Sequence, residues 1–320
     1  LIREIGGVGL TCTEFVASEG LRRGSGKQFG LVDYDDTERP ISVQIYGKRP
    51  EVMAQAAQII TDLGATIIDI NMGCPSKKVC AHSGGSALMK DPVLARQIVR
   101  AVRAATPLPL TVKMRSGFDM ETRNAPEIAW ICQEEGAEAI TIHWRTRSDL
   151  YGGQRQVDKI AEAKERLSIP VIGNGDIINP ASALRMMEET GVDGVMVGRG
   201  AMRDPWSCLQ ISRALQGKAP VVVTGSMRRD VLLRYLEAIR ARFHSEKGTL
   251  GRFKKIANHF TKGLPSAEGL RVRVLRSQSI AEAQEQLEMY FEALSRHEAG
   301  ESVQWPSMPP PVQRGARPSR

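Results

Sequence analysis

The sequence predicts an α/β chain: a TIM (β/α)8 barrel lacking its first strand within these 320 residues, followed by a small all-α helical domain. Three observations carry this. Short apolar runs alternate with helical patterns through the first two thirds of the chain, the signature of a parallel sheet. A polar or glycine-rich motif follows nearly every run, and a site drawing on so many strand ends needs those ends to converge, as they do in a closed barrel. After Gly225 the strand-like runs stop.

The apolar runs lie at 9–17, 41–46, 66–71, 108–114, 139–144, 169–173 and 194–198, each about the length of a strand buried on both faces. Helical patterns separate them at 51–63, 92–104, 125–135, 158–166, 180–189 and 204–215, with Gly64, Gly136 and Gly191 placed as C-caps. Residues 1–6 read as the end of a helix, so the expectation is that a first strand precedes this sequence. Amphipathic helices are predicted at 227–243, 249–260 and 279–295. The expected organisation is a barrel domain at 1–222, a helical domain at 223–297 and a disordered tail at 298–320, which is rich in Pro, Gly, Ser and Arg.

Composition excludes several classes. Hydrophobic residues make up 42% and charged residues 25%, which is ordinary globular chemistry. No apolar run approaches the ~18 residues a membrane span requires. Five cysteines, at 12, 74, 80, 132 and 208, form no C-x-x-C pair and fit neither a disulfide scaffold nor a zinc site, so a reducing cytoplasm is expected and no metal. The net charge of +8 is uneven: residues 226–296 carry 14 Lys+Arg against 8 Asp+Glu, whereas 1–225 are nearly balanced. A basic module beside a neutral one points to a polyanion such as nucleic acid, or else to a solvated helix surface.

The strand ends supply the chemistry. Asn71-Met72-Gly73-Cys74-Pro75 sets a thiol just beyond a strand, placed to exchange a proton with a bound substrate. Most free cysteines are merely small and buried, and Cys12, Cys132 and Cys208 are read that way. Lys113 closes the next strand and can hold negative charge on a ring or oxyanion; Arg115 follows on the same side. His143, with Arg145 and Arg147 beyond it, suits an anionic or carbonyl-rich ligand. Asn174-Gly175-Asp176 and Gly198-Arg199 follow the last strands, where backbone N–H groups commonly grip phosphate. Gln44 ends a strand with an amide able to pair with a polar ring edge.

These motifs, in this order, resemble the tRNA-dihydrouridine synthases of the bacterial branch: Val43-Gln44-Ile45-Tyr46-Gly47, Asp69-Ile70-Asn71-Met72-Gly73-Cys74-Pro75, Val112-Lys113-Met114-Arg115-Ser116-Gly117, His143-Trp144-Arg145-Thr146-Arg147, Gly173-Asn174-Gly175-Asp176-Ile177 and Gly198-Arg199-Gly200-Ala201. The resemblance covers roughly residues 1–295. It implies a flavin barrel with a helical RNA-binding domain that reduces the C5=C6 bond of particular tRNA uridines, using FMN as cofactor and NADPH as reductant. It implies Cys74 as the proton donor to C5, Lys113, His143 and Gln44 at the flavin, and Asn174, Gly175, Asp176, Gly198 and Arg199 at its phosphate. Asn71, Arg115, Arg145 and Arg147 are candidates for the uracil and nearby phosphates, and Lys254, Lys255, Arg271 and Arg273 for the tRNA backbone. A monomer is expected.

Trp144 departs from the family pattern, which has glycine there; it is expected to narrow the pocket, stack on a base or simply pack. A missing first strand would leave the flavin site open on one side. Two other readings stand beside the first: a flavin barrel acting on a free pyrimidine, similar to dihydroorotate dehydrogenases, and an RNA-binding barrel without catalysis.

Overall fold

The computed structural model describes residues 1–81, 84–243 and 245–305. One parallel sheet dominates. Its strands are β1 (Thr11–Cys12), β2 (Val16–Ala17), β3 (Ile41–Tyr46), β4 (Ile67–Met72), β5 (Leu110–Arg115), β6 (Ala139–His143), β7 (Val171–Asn174) and β8 (Gly194–Met196). The order is β1-β3-β4-β5-β6-β7-β8, with β2 also pairing β3. The predicted run at 9–17 is thus one sheet position broken into two short strands, Thr11 pairing with Ile41 and Val16 with Ile45. The break has a local cause. Thr13 turns its hydroxyl to accept the amide of Gln44 at 3.2 Å, while Phe15 is exposed.

The sheet curls as a half-barrel, with helices on its outer face. Helix Pro50–Asp62 packs on Pro92–Ala105, Pro92–Ala105 on Ala125–Glu134, and Ala125–Glu134 on Asp158–Arg166. Alternation along each strand decides what faces inward. In β4, Ile68, Ile70 and Met72 are wholly buried in the layer between sheet and helices. Asp69 and Asn71 therefore point to the opposite, inner face. Burying charged and amide side chains there is tolerable only if they bond one another.

Two compact units divide the chain. One comprises Gly6–Gly200 and Ser207–Lys218; the other comprises Leu1–Ile5, Ala201–Trp206 and the segment from Ala219 onward. The second unit is helical, with long helices Gly225–Arg242, Glu246–Phe260 and Ile280–Glu298. It also contains Ala267–Arg276, which carries the basic run 271–276 between the amphipathic helices that periodicity predicts. Thr224, Ser245 and Ser279 cap three of these helices by accepting a backbone N–H. Of the expected tail, Glu298 ends the last helix, and the Trp305 ring packs on Tyr290 and His297. Apolar packing therefore runs beyond 298. Residues 306–320 lie outside the described residues. No helix among the described residues is long and apolar enough to cross a membrane.

Candidate active site

At the C-terminal ends of the strands lies a cleft of about 710 Å³. Cys74, Lys113, Arg115, His143, Gln44, Asn71 and Gly198 all line it, brought together from five strand ends as the sequence predicts. Lys77 adds a further cation, and among the described residues no Asp or Glu lines the cleft. A cavity of this charge balance suits a ligand bearing phosphate or several carbonyl oxygens.

The thiol loop is held at each end. Asn71 Oδ1 accepts the amides of Gly73 at 3.1 Å and Cys74 at 2.9 Å. The Cys74 carbonyl accepts from Ser86 Oγ at 2.8 Å and from the Cys80 thiol at 3.4 Å. Arg115 Nε donates to the Gly73 carbonyl at 2.9 Å. Cys74 is 8% exposed, and burial pushes its thiol up from the usual range, so it stays protonated at neutral pH. A protonated thiol is what a proton donor requires. Cys80 is a free cysteine whose sulfur serves the loop backbone.

Beneath Cys74 runs a buried polar ladder. Gln44 pairs with Asp69, and Asp69 with Thr111, across β3, β4 and β5. Gln44 Nε2 and Thr111 Oγ1 both donate to the Asp69 carboxylate at 2.6 Å, and Asn71 Nδ2 donates to Gln44 Oε1 at 2.6 Å. Burial raises the Asp69 carboxyl, while these bonds and the nearby Lys113 charge pull it back. Burial lowers the Lys113 amine, and Asp69 opposes that shift. Lys113 makes no ion pair within 4 Å among the described residues, so its amine is available to the cleft.

His143 is neutral. Burial, reinforced by Lys113, Arg115, Arg145 and Arg199, drives its pKa down to about 2. The amide of Arg145 donates to its Nδ1, so Nε2 carries the proton.

Other predicted residues lie elsewhere. Asn174, Gly175, Asp176 and Arg199 do not line the main cleft; Asn174 Nδ2 donates to the Met196 carbonyl at 2.8 Å. Asp176 accepts from Arg145 at 3.1 and 2.6 Å and from Arg199 at 3.3 Å. Gly175 and Asp176 border a smaller pocket with Arg155 and Arg185. Arg145 is buried, stacked on Trp144 and bonded to Asp176. Arg147 lies against Phe118. Besides Gly73, Arg115 donates to the carbonyls of Thr146 and Leu150 at 2.6 and 3.0 Å, so it clamps two loops together. In the helical unit, Lys254 Nζ donates to the carbonyls of Leu275 and Ser277, Arg273 donates to Gln286, Arg271 lies 3.9 Å from Glu268, and Lys255 is exposed.

Trp144 neither narrows the cleft nor faces it. It is 3% exposed and packed against Gly175, where an added Cβ would meet the indole at 2.4 Å. Sequence reading missed several cleft residues: Cys12, Thr13, Phe15, Leu150, Tyr151 and Met196. The polar Thr13-Glu14 inside an apolar run was the available signal for the first three. Burial, then the Asp69 charge, pushes the Cys12 thiol up to about 12.

A parallel barrel-type sheet with a protonated thiol, an unpaired lysine and a neutral imidazole at its mouth defines a class of enzyme-like clefts. Within that class the chain belongs to the dihydrouridine synthase (Dus) family, whose model matches residues 1–297. It is similar to a tRNA-dihydrouridine synthase B of Xanthomonas campestris pv. campestris, 40% identical over 290 residues covering 90% of this chain and 87% of that one. It is also similar to a tRNA-dihydrouridine synthase B of Pseudomonas syringae pv. tomato, at 39% identity covering 85% and 80%. A probable tRNA-dihydrouridine synthase of Rickettsia bellii is 38% identical, covering 91% and 90%.

Proposed function

We propose that the protein reduces the C5=C6 bond of specific uridines in tRNA, with FMN as its cofactor and NADPH as reductant. One observation carries the reading: the Cys74 thiol, the Lys113 amine and the His143 Nε2–H share a cleft lined by cations and, among the described residues, by no carboxylate. That donor set fits FMN, whose polar ring edge is rich in carbonyl and imine acceptors and whose tail is a phosphate. Bound FMN, kept reduced by NADPH, supplies the hydride for C6.

The chain's own residues do the rest. Lys113 places a positive charge beside the ring edge, where negative charge accumulates. His143 donates through Nε2. Gln44 retains one Nε2 hydrogen and one Oε1 lone pair after its two buried bonds. Gly198 and Arg199 hold the phosphate, and Asp176 acts there by holding Arg199 rather than by touching an anion. Asn71 keeps one Nδ2 hydrogen for a uracil carbonyl. Cys74 delivers the proton to C5, completing the reduction without a metal; among the described residues no cluster of metal-ligating side chains occurs. The target base must leave its stack to reach this cleft, which requires a grip on the surrounding RNA. Arg145 and Arg147 support the loop at the mouth. Lys254, Lys255, Arg271 and Arg273 in the basic helical segment 223–297 supply phosphate contacts. The same reading has 1–222 as the flavin domain and a monomer acting in the cytoplasm, where tRNA resides.

The test is dihydrouridine content. The purified protein should carry a yellow flavin spectrum and, with NADPH, form dihydrouridine in tRNA that lacks it, detected by mass spectrometry of nucleosides. Cys74→Ala should keep the flavin spectrum and lose ~10²–10⁴-fold in turnover. Wild-type turnover in that variant removes Cys74 from the mechanism. Absence of flavin, with salt-sensitive tRNA binding alone, removes the reductase reading.

A further inference from the structure

We propose that Asp69 is a positioning residue: its carboxylate sets the direction of a chain of two amides, Gln44 then Asn71, which anchors the backbone of Cys74. Asp69, Gln44 and Asn71 are each 5–6% exposed, so solvent cannot substitute for a lost partner. Both Asp69 oxygens accept in the structure, one from Gln44 Nε2 and the other from Thr111 Oγ1, and the nearby Lys113 charge favours the carboxylate form, which only accepts. Gln44 must therefore turn Nε2 towards Asp69, which leaves Oε1 facing Asn71. Asn71 must then present Nδ2 to Gln44, which leaves Oδ1 for the amides of Gly73 and Cys74. Thr111 occupies the other carboxylate oxygen and prevents the group from rotating away. Reversing Asn71 alone sets its Nδ2 against the amides of the Cys74 loop, and reversing Gln44 alone sets its Oε1 against the Asp69 carboxylate and its Nε2 against Asn71 Nδ2.

Asp69 does not line the cleft, so it acts there only through Gln44 and Asn71. Its consequence for proton delivery rests on the reading of Cys74 as the acid; the hydrogen-bond chain itself does not. The test therefore reads the loop directly: the rate at which iodoacetamide alkylates Cys74 in the full chain, measured on its peptide by mass spectrometry. Gln44→Glu sets two carboxylates face to face, and alkylation should rise several-fold. Adding Asp69→Asn restores donor to acceptor along the same path: the amide introduced at position 69 donates to the carboxylate introduced at position 44, and that carboxylate still accepts from Asn71. The double variant should return to within about twofold of wild type.

A merely structural role predicts no such rescue, because two substitutions would then loosen the loop more than one. Unchanged alkylation in Gln44→Glu, or a double variant looser than the single, overturns the proposal. Should Gln44→Glu yield no folded protein, Gln44→Leu breaks the chain without adding charge; alkylation is again expected to rise, and an unchanged rate overturns the proposal. Failure of the wild type to form dihydrouridine would count against the proposed reaction and leave these outcomes intact.

Discussion

The backbone N–H of Arg145 donates to Nδ1 of His143 at 3.1 Å, which obliges the imidazole to carry its proton on Nε2, the side open to the cleft. Since the ring's pKa is held near 2 in the folded protein against an ordinary 6.5, folding requires a neutral ring that the unfolded chain prefers to protonate in acid. The group's contribution is neutral above about pH 6.5 and becomes increasingly destabilising as pH falls towards 2. Below 6.5 each pH unit costs ~1.4 kcal/mol. Urea denaturation at pH 7 and pH 5 should therefore show wild type losing about 2 kcal/mol more than His143→Gln. Equal losses in the two proteins would mean that His143 titrates normally.

Gly85 governs the thiol loop from the other side. Its φ is +57°, and a β-carbon there would stand 2.8 Å from the Cys74 carbonyl oxygen. Gly85→Ala should cost about 1–3 kcal/mol of stability, read from the urea midpoint, because backbone strain and a steric clash coincide. Turnover should fall as well, since the displaced atoms belong to Cys74.

Arg115 is a clamp as much as a charge. Its guanidinium reaches the carbonyls of Gly73, Thr146 and Leu150, and Leu150 is held at a φ of +51°. Lysine keeps the charge but not the fork. Arg115→Lys should leave the 146–153 loop sensitive to limited proteolysis and lower turnover about 10²-fold. A loop as resistant as in wild type would show that the clamp is dispensable.

Trp144 is a packing residue. Trp144→Gly should cost ~3–5 kcal/mol by emptying a buried site. A variant that kept its stability while changing which uridine is reduced would contradict that assignment.

Much of this molecule was legible in its residues. Apolar runs of strand length, separated by helical periodicity, specified a parallel sheet, because period and burial follow from side-chain pattern alone. The order of strand-end motifs brought Cys74, Lys113 and His143 to one mouth, because parallel strands all end on the same face. Tertiary structure alone decided which polar atoms remained available there. Asp69 has no role assignable from its motif alone, yet its register beside Gln44 and Thr111 brings it to the end of the amide chain. Arg115 and Arg145 read as candidates for the uracil and nearby phosphates, yet within the chain carbonyls and Asp176 already engage them. For Trp144 the sequence left pocket, base stacking and packing open, and only the structure shows it filling the space beside Gly175. Those outcomes depend on distances between residues far apart in the chain. A linear pattern encodes which face a side chain takes, but not which partner saturates its hydrogen bonds.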